Sequence, residues 1–130
     1  MQSRRKRLGQ ALLVAVGLIN VVPGAGAVSP GAMRSAYGVE IGSADLEVLL
    51  RHRAVLLALA GAFVIVSAFR PALRRAAITG GAVSMGSFLL LALTTTPVNE
   101  QVLRVAQVDA AALLLLAVGA VLVRTSGEGA

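Results

Sequence analysis

The chain has 130 residues, of which 57% are apolar, 14% are charged and 3% are aromatic, and it has no cysteine. Ordinary soluble domains carry about 25% charged residues, so this composition excludes a disordered tail, a disulfide scaffold and most soluble enzyme folds. The net charge of +6 could indicate nucleic acid binding, but the chain has almost no aromatic side chains to stack on bases. A membrane protein with no nucleic acid partner explains the charge better, because arginines collect on the cytoplasmic side of membrane spans.

Four uncharged apolar runs follow a basic N-terminal segment at residues 4–7. They cover residues 8–28, 54–69, 76–93 and 110–123. A span needs about 20 residues to cross roughly 30 Å of hydrocarbon, so the second and fourth runs must be extended backwards. The predicted spans are residues 8–28, 50–69, 76–95 and 104–123 of a single membrane domain that covers residues 1–130. The predicted fold class is therefore an all-α integral membrane four-helix bundle.

The first run allows a second interpretation. A basic start, an apolar stretch and the small residues Ala25, Gly26 and Ala27 are also typical of a signal peptide with its cleavage site. Cleavage there would remove residues 1–27 and leave three spans. The apolar run extends to Val28, which favours an uncleaved span.

The distribution of basic residues predicts the orientation. With the N-terminus inside, the inner side carries eight basic residues, which are residues 4–7, Arg70, Arg74, Arg75 and Arg124. The outer side carries four, which are Arg34, Arg51, Arg53 and Arg104. This asymmetry favours an N-in/C-in, multi-pass protein of the cell inner (plasma) membrane.

The connection after the first span has helix signals of its own. Ser29 can cap a short helix, Pro30 suits its first turn and Gly38 suits its end, so we predict a short outer helix over residues 30–37. An extended segment at residues 39–41 should follow. Ser43 can then cap the second span, with Asp45 and Glu47 in its first turns.

Small and polar residues predict which face of each span points into the bundle, because they allow close packing and avoid lipid. In the second span, Arg51 shares a side with Ala54 and Gly61, whereas Arg53 lies on the opposite side and should extend toward the headgroups. The inward faces of the other spans are Gly9, Leu13, Gly17 and Asn20 in the first, Ala76, Gly80, Ser84, Ser87 and Thr94 in the third, and Ala106, Asp109, Ala112, Leu113, Leu116 and Ala120 in the fourth.

An ion pair between spans follows from this assignment. An unpaired charge in the membrane costs about 2.5–3.5 kcal/mol, and a partner of opposite sign reduces that cost. We therefore expect Arg51 and Asp109 to meet across the second and fourth spans, with Glu47 one turn from Arg51. The pair could be structural or could bind a ligand.

Several other polar residues are candidates for ligand binding. His52 is the single histidine and its charge can change near neutral pH, although an interfacial role explains it as well. Asn20, Ser84 and Ser87 could contact a ligand, but hydrogen bonds to neighbouring helices are the simpler explanation. One histidine with scattered carboxylates gives no metal site, and no catalytic motif is present in the sequence.

The segment from Ser29 to Val39 and the run from Asp45 to Ala54 resemble small bacterial four-helix membrane proteins of the DoxX-like group, together with uncharacterised relatives of that group. The most specific part is residues 50–54, Leu-Arg-His-Arg-Ala. The resemblance covers most of the chain and implies a four-helix bundle. For some DoxX-like proteins it also implies a subunit of a membrane oxidoreductase linked to sulfur or quinone metabolism.

The sequence also resembles chains named phosphopantetheine adenylyltransferase, an activity of soluble enzymes with a His-x-Gly-His phosphate motif. The nearest residues here, Arg51, His52 and Arg53, lack the glycine and the second histidine, so they do not support that activity.

Three functions remain open from the sequence. The first is a non-catalytic membrane protein that binds a lipid-like or quinone-like ligand, or that acts as an accessory subunit, as a homodimer or beside a partner membrane protein. The second is an oxidoreductase subunit with an outer-side site at Arg51, His52 and Asp109. The third, a transporter that uses Asp109 as its carrier, is less favoured, because the inner half offers no second ionisable group in the membrane.

Overall fold

A computed structural model describes residues 1–27, 30–40, 42–95 and 97–125. It contains α1 (Gln2–Val21), α2 (Pro30–Tyr37), α3 (Ala44–Phe69), α4 (Pro71–Thr94) and α5 (Glu100–Thr125), with a 3-10 helix (Val22–Ala27) after α1. No strand is present among these residues. The predicted all-α class is confirmed, and the long helices begin four to six residues before the predicted spans.

The four long helices form a closed ring. Helix α1 packs against α3 and α5, and α4 packs against the same two helices, so α1 and α4 lie diagonally opposite. Because the long helices alternate in direction, α2 and the 3-10 helix lie at the end of the bundle opposite residue 1. We call this the α2 end, and the other the N-terminal end.

Local sequence signals set where the helices begin. The Ser43 hydroxyl accepts a hydrogen bond of 3.1 Å from the Leu46 backbone N–H, so Ser43 caps α3 as predicted. Arg70 is extended between α3 and α4, and Pro71 occupies the first turn of α4, where its missing N–H costs nothing. The connection between these two helices is therefore a single residue, shorter than the interval at residues 70–75 between the two predicted spans.

Two pairs of glycines bring α1 close to its neighbours. A Cβ added at Gly17 would lie 2.6 Å from the backbone oxygen of Gly61 in α3, which shows how closely the two backbones approach. A Cβ added at Gly119 in α5 would lie 3.3 Å from the oxygen of Gly9. Glycine permits this spacing, which is a common way for helices to pack in membranes.

The exterior of the bundle is apolar. Large side chains such as Leu59, Leu90, Leu93 and Leu114 are more than half exposed, whereas the core is small and includes Leu13, Val16, Val64, Met85 and Leu116. All four long helices are long and apolar enough to cross a membrane. An apolar belt on this scale would be a liability in water, and it suits a bundle that crosses a membrane.

The predicted inward faces of α1 and α5 are confirmed, but that of α4 is wrong. The buried residues of α4 are Ala77, Gly81, Met85 and Ala92. The predicted stripe lies one residue away, and its members Ala76, Gly80, Ser87 and Thr94 are exposed. A Cβ at Gly80 would have no neighbour within 4 Å. Because α4 is apolar on all sides, small residues gave two adjacent candidate faces.

The short helix α2 has the predicted bounds, and its end is also as predicted. Gly38 has a φ of +62°, which favours glycine, and its N–H donates to the Arg34 carbonyl at 2.8 Å. The cap predicted at Ser29 and the last residue of the predicted extended segment, Ile41, lie outside the described residues.

Candidate ligand-binding site

A cavity of about 470 Å³ lies at the α2 end, between α1, the 3-10 helix, α2, α3 and α5. Its volume is within the range of about 300–1,000 Å³ that is usual for sites of small organic ligands. One part of its wall is apolar and is formed by Ile19, Val22, Pro23, Leu57, Val105 and Val108.

The other part of the cavity wall is polar. It is formed by Asn20, Ser35, Tyr37, Arg53, Gln101, Arg104 and Asp109. Two of these side chains are cationic and one is anionic, so the lining has a net positive charge. Hydrogen-bond donors outnumber acceptors, because each guanidinium carries five N–H groups and no acceptor. The cavity therefore suits a largely apolar molecule whose head group accepts hydrogen bonds.

Arg53 joins three helices at this cavity. Its guanidinium donates a hydrogen bond to the Tyr37 hydroxyl of α2. Its Cζ lies 5.1 Å from the centroid of the Tyr37 ring and 4.7 Å from that of Phe88 in α4. Both distances are typical of cation–π contacts, which strengthen where water is excluded. These contacts hold the cation at the cavity wall and away from the lipid-facing surface.

Asn20 also lines the cavity and is only 5% exposed. Its Nδ2 donates to the Val16 carbonyl at 3.0 Å and contacts the Met85 sulfur at 3.6 Å. No described residue donates to its Oδ1, yet the described part of the chain has no buried, unpaired side-chain oxygen. The Oδ1 is therefore open to the cavity and can accept a hydrogen bond from a ligand.

Asp109 in α5 is half-buried and lines the same cavity. Arg53 is the arginine whose charge attracts this carboxylate. The two groups share the cavity without forming an ion pair within 4.0 Å in the part of the chain that the structure describes. Space for a polar head group thus remains between the guanidinium of Arg53 and the carboxyl group of Asp109.

Asn99 links the end of α2, which borders the cavity, to the start of α5. Its Nδ2 donates to the backbone oxygens of Tyr37 and Gly38, at 2.8 and 3.2 Å. Its Oδ1 accepts from the Val102 N–H at 2.8 Å and so caps α5. One side chain therefore fixes the end of α2 to the start of α5, and this positions Tyr37 over the cavity.

The structure places Arg51 and His52 away from this cavity. Both are exposed, and Arg51 forms an ion pair with Glu47 at 3.2 Å, one turn earlier in α3. The predicted proximity of Glu47 to Arg51 is thus confirmed. The inward orientation predicted for Arg51 and the headgroup position predicted for Arg53 are wrong.

The reason for this error is the rotation of α3. Its buried face is centred on Ala54, Gly61, Val64 and Ala68 rather than on the stripe of small residues alone. At 100° per residue, Arg53 lies about 60° from the centre of that face and Arg51 about 100° on the other side. An outer-side site was predicted at Arg51, His52 and Asp109. Of these three residues, Asp109 lines the cavity and the other two do not.

Ser84 and Ser87 lie at a smaller cavity of about 250 Å³ between α3 and α4. Ser87 donates a hydrogen bond to the Ser84 carbonyl at 3.0 Å, as serines in membrane helices often do. Arg53 and Leu57 line both cavities and therefore form the wall between them.

Sequence reasoning missed most of the polar lining. Tyr37, Ser35 and Gln101 were not selected, and Arg53 and Arg104 were assigned only to the outer side. One signal was present: Tyr37 is the single tyrosine of a chain with very few aromatic residues, at the end of a predicted helix. Buried tyrosines usually find a hydrogen-bond partner, so a basic residue close to α2 could have been predicted as the partner of Tyr37.

Two further observations bear on chemistry. No group of three or more His, Asp or Glu side chains that could hold a metal ion occurs within the described ranges. The chain also gave no significant match to any family model, curated protein sequence or solved structure with which it was compared. The resemblance to the DoxX-like group therefore stays a prediction.

Proposed function

We propose that this protein is a non-catalytic membrane protein that binds a lipid-like or quinone-like molecule in the cavity at the α2 end. The observation that carries this proposal is the division of the cavity wall into an apolar part and a polar part rich in fixed donors. An amphiphile whose head group carries a carbonyl would match both parts, because its oxygen can accept a hydrogen bond from Arg53 without adding a negative charge beside Asp109.

The proposed ligand would bind with its head group between Arg53 and Asp109. Arg53 is held by Tyr37 and Phe88 before any ligand arrives, so little side-chain entropy is lost on binding. Asn20 would accept a hydrogen bond from a hydroxyl on the ligand, and Asp109 could do the same. The hydrocarbon part would lie against Leu57, Val105 and Val108.

Several wider proposals go with this function. The excess of arginines at the N-terminal end supports an N-in/C-in orientation in the inner membrane. The cavity would then open on the outer half of the bilayer. Resemblance to the DoxX-like group supports a quinone as one ligand class and an accessory role beside a redox partner. The exposed small face of α4 leaves room for a second copy or a partner helix.

The proposal is tested by native mass spectrometry of the protein released from a mild detergent. Wild-type protein should retain a bound apolar molecule of defined mass, which organic extraction then identifies as a lipid or a quinone. In Arg53→Gln and in the isosteric Asp109→Asn, the fraction of protein that carries this molecule should fall by at least half. Arg34→Gln is the matched control, because it removes an exposed arginine of α2 that does not line the cavity.

Two outcomes would contradict the proposal. One is wild-type protein that is always free of ligand, which would favour a structural or accessory role. The other is bound mass that Arg34→Gln reduces as strongly as Arg53→Gln does. A partner chain that co-purifies with a redox cofactor would support the oxidoreductase alternative instead.

A further inference from the structure

A second groove lies at the N-terminal end, far from the ligand cavity. It has a volume of about 630 Å³ and runs between the start of α4 and the end of α5. Arginines at such a position serve as a topology signal in many membrane proteins. That role requires only that they lie on one side of the membrane, and it does not require them to surround a groove.

Three arginines surround this groove: Arg74, Arg75 and Arg124. None of the described residues that line the groove is acidic. The remaining wall includes Ile78, Ala120 and Val123, so the groove is cationic at its mouth and apolar along its length. This combination matches a molecule with an anionic head and a hydrocarbon tail, whereas a free inorganic anion would leave the apolar wall without a partner.

The position of Arg74 shows that the cationic mouth is held in place. Its Nε and one terminal nitrogen donate to the backbone oxygens of Ser67 and Ala68, at 3.1 and 2.9 Å. Arg74 therefore caps the end of α3 and keeps its charge beside the groove. Pro71 also lines the groove, so the positive end of the α4 dipole points toward its mouth.

Arg75 is exposed at this mouth and makes no hydrogen bond to the described residues. Its guanidinium can therefore form a bidentate contact with a phosphate.

We propose that this groove binds an anionic phospholipid, with the phosphate at Arg74 and Arg75 and an acyl chain along Ile78 and Val123. Basic pockets between membrane helices recognise lipid head groups in this way. The site is independent of the ligand cavity, and the bound lipid would stabilise the contact between α4 and α5.

The test compares binding of phosphatidylglycerol and of phosphatidylcholine with identical acyl chains, titrated into detergent-solubilised protein and followed by native mass spectrometry. Phosphatidylglycerol should bind more tightly, and Arg75→Gln should weaken its binding by about fivefold, the effect of one basic residue near a membrane surface. Arg75→Lys should weaken binding less than Arg75→Gln does, because it keeps the charge but loses the bidentate contact.

The control variant is Arg4→Gln, which removes an exposed charge from the same end of the protein but outside the groove. An equal loss in Arg4→Gln and Arg75→Gln would overturn the proposal, because it would indicate diffuse attraction to the basic end. Equal binding of the two lipids would overturn it as well. Loss of phosphatidylglycerol in Arg53→Gln would place the lipid in the ligand cavity and would also contradict the proposal.

Discussion

Replacement of Gly61 by alanine tests the close crossing of α1 and α3. The added Cβ would lie 2.9 Å from the Val21 backbone nitrogen and 2.8 Å from a Val21 methyl group, and it would also meet the Gly17 carbonyl. Ordinary van der Waals contact begins near 3.4 Å. Because backbone atoms cannot rotate away as a side chain does, the two helices must separate by about 1 Å to relieve the contact with the Gly17 carbonyl.

The expected magnitude follows from two opposing effects. Overpacking of a close contact costs about 1–3 kcal/mol. Alanine also improves helix propensity over glycine by about 1 kcal/mol. The same gain applies at Gly80, where a Cβ would have no neighbour within 4 Å. Because the helix-propensity gain cancels in the comparison and the contacts at Gly61 are with backbone atoms, we expect Gly61→Ala to be less stable than Gly80→Ala by about 2–3 kcal/mol, the upper part of the overpacking range.

The assay is thermal unfolding of both variants in the same detergent, followed by circular dichroism. For a chain of this length the difference corresponds to about 10 °C in Tm. Equal Tm values for the two variants would refute the close crossing. A lower Tm for Gly80→Ala than for Gly61→Ala would refute the assignment of Gly80 to an open face. It would instead indicate that a second copy or a partner covers α4.

Two further predictions concern Tyr37 and Asn99, which lie where α2 borders the cavity. Tyr37→Phe removes the hydroxyl that accepts from Arg53 but keeps the ring, so it should lower the free energy of unfolding by about 1 kcal/mol and weaken ligand retention in native mass spectra. An unchanged free energy of unfolding together with unchanged ligand retention would contradict a role for that hydrogen bond. Asn99→Ala removes the α5 cap and both bonds to α2, and should cost about 2 kcal/mol. Ser43→Ala, which removes a cap alone, should cost about half as much in the same denaturation assay.

Much of the fold follows from composition and from a few local signals. The number of long helices, the bounds of α2, its end at Gly38 and the cap at Ser43 were all predictable, because each depends on neighbouring residues. The faces of α1 and α5 were predictable as well, since Asn20 and Asp109 are polar groups that avoid lipid.

The rest could not be predicted, because it depends on contacts between distant segments. Whether Arg51 or Arg53 of α3 lines the cavity depends on Tyr37 in α2 and Phe88 in α4, which contact Arg53 and are distant from it in the sequence. In an apolar helix such as α4, hydropathy carries no information on rotation. The choice between the Gly80 and Gly81 faces is made by Val64 and Leu116, which contact Gly81 from other helices.

The most direct test of the account is whether the bound molecule occupies the cavity itself. Val105 lines the cavity, whereas Leu114 in the same helix is 70% exposed on the lipid-facing surface. Val105→Trp should fill much of the cavity and remove the bound mass seen in native mass spectra, while Leu114→Trp should leave that mass unchanged. Bound mass that persists in a folded Val105→Trp variant would contradict the central claim that this cavity is the ligand site.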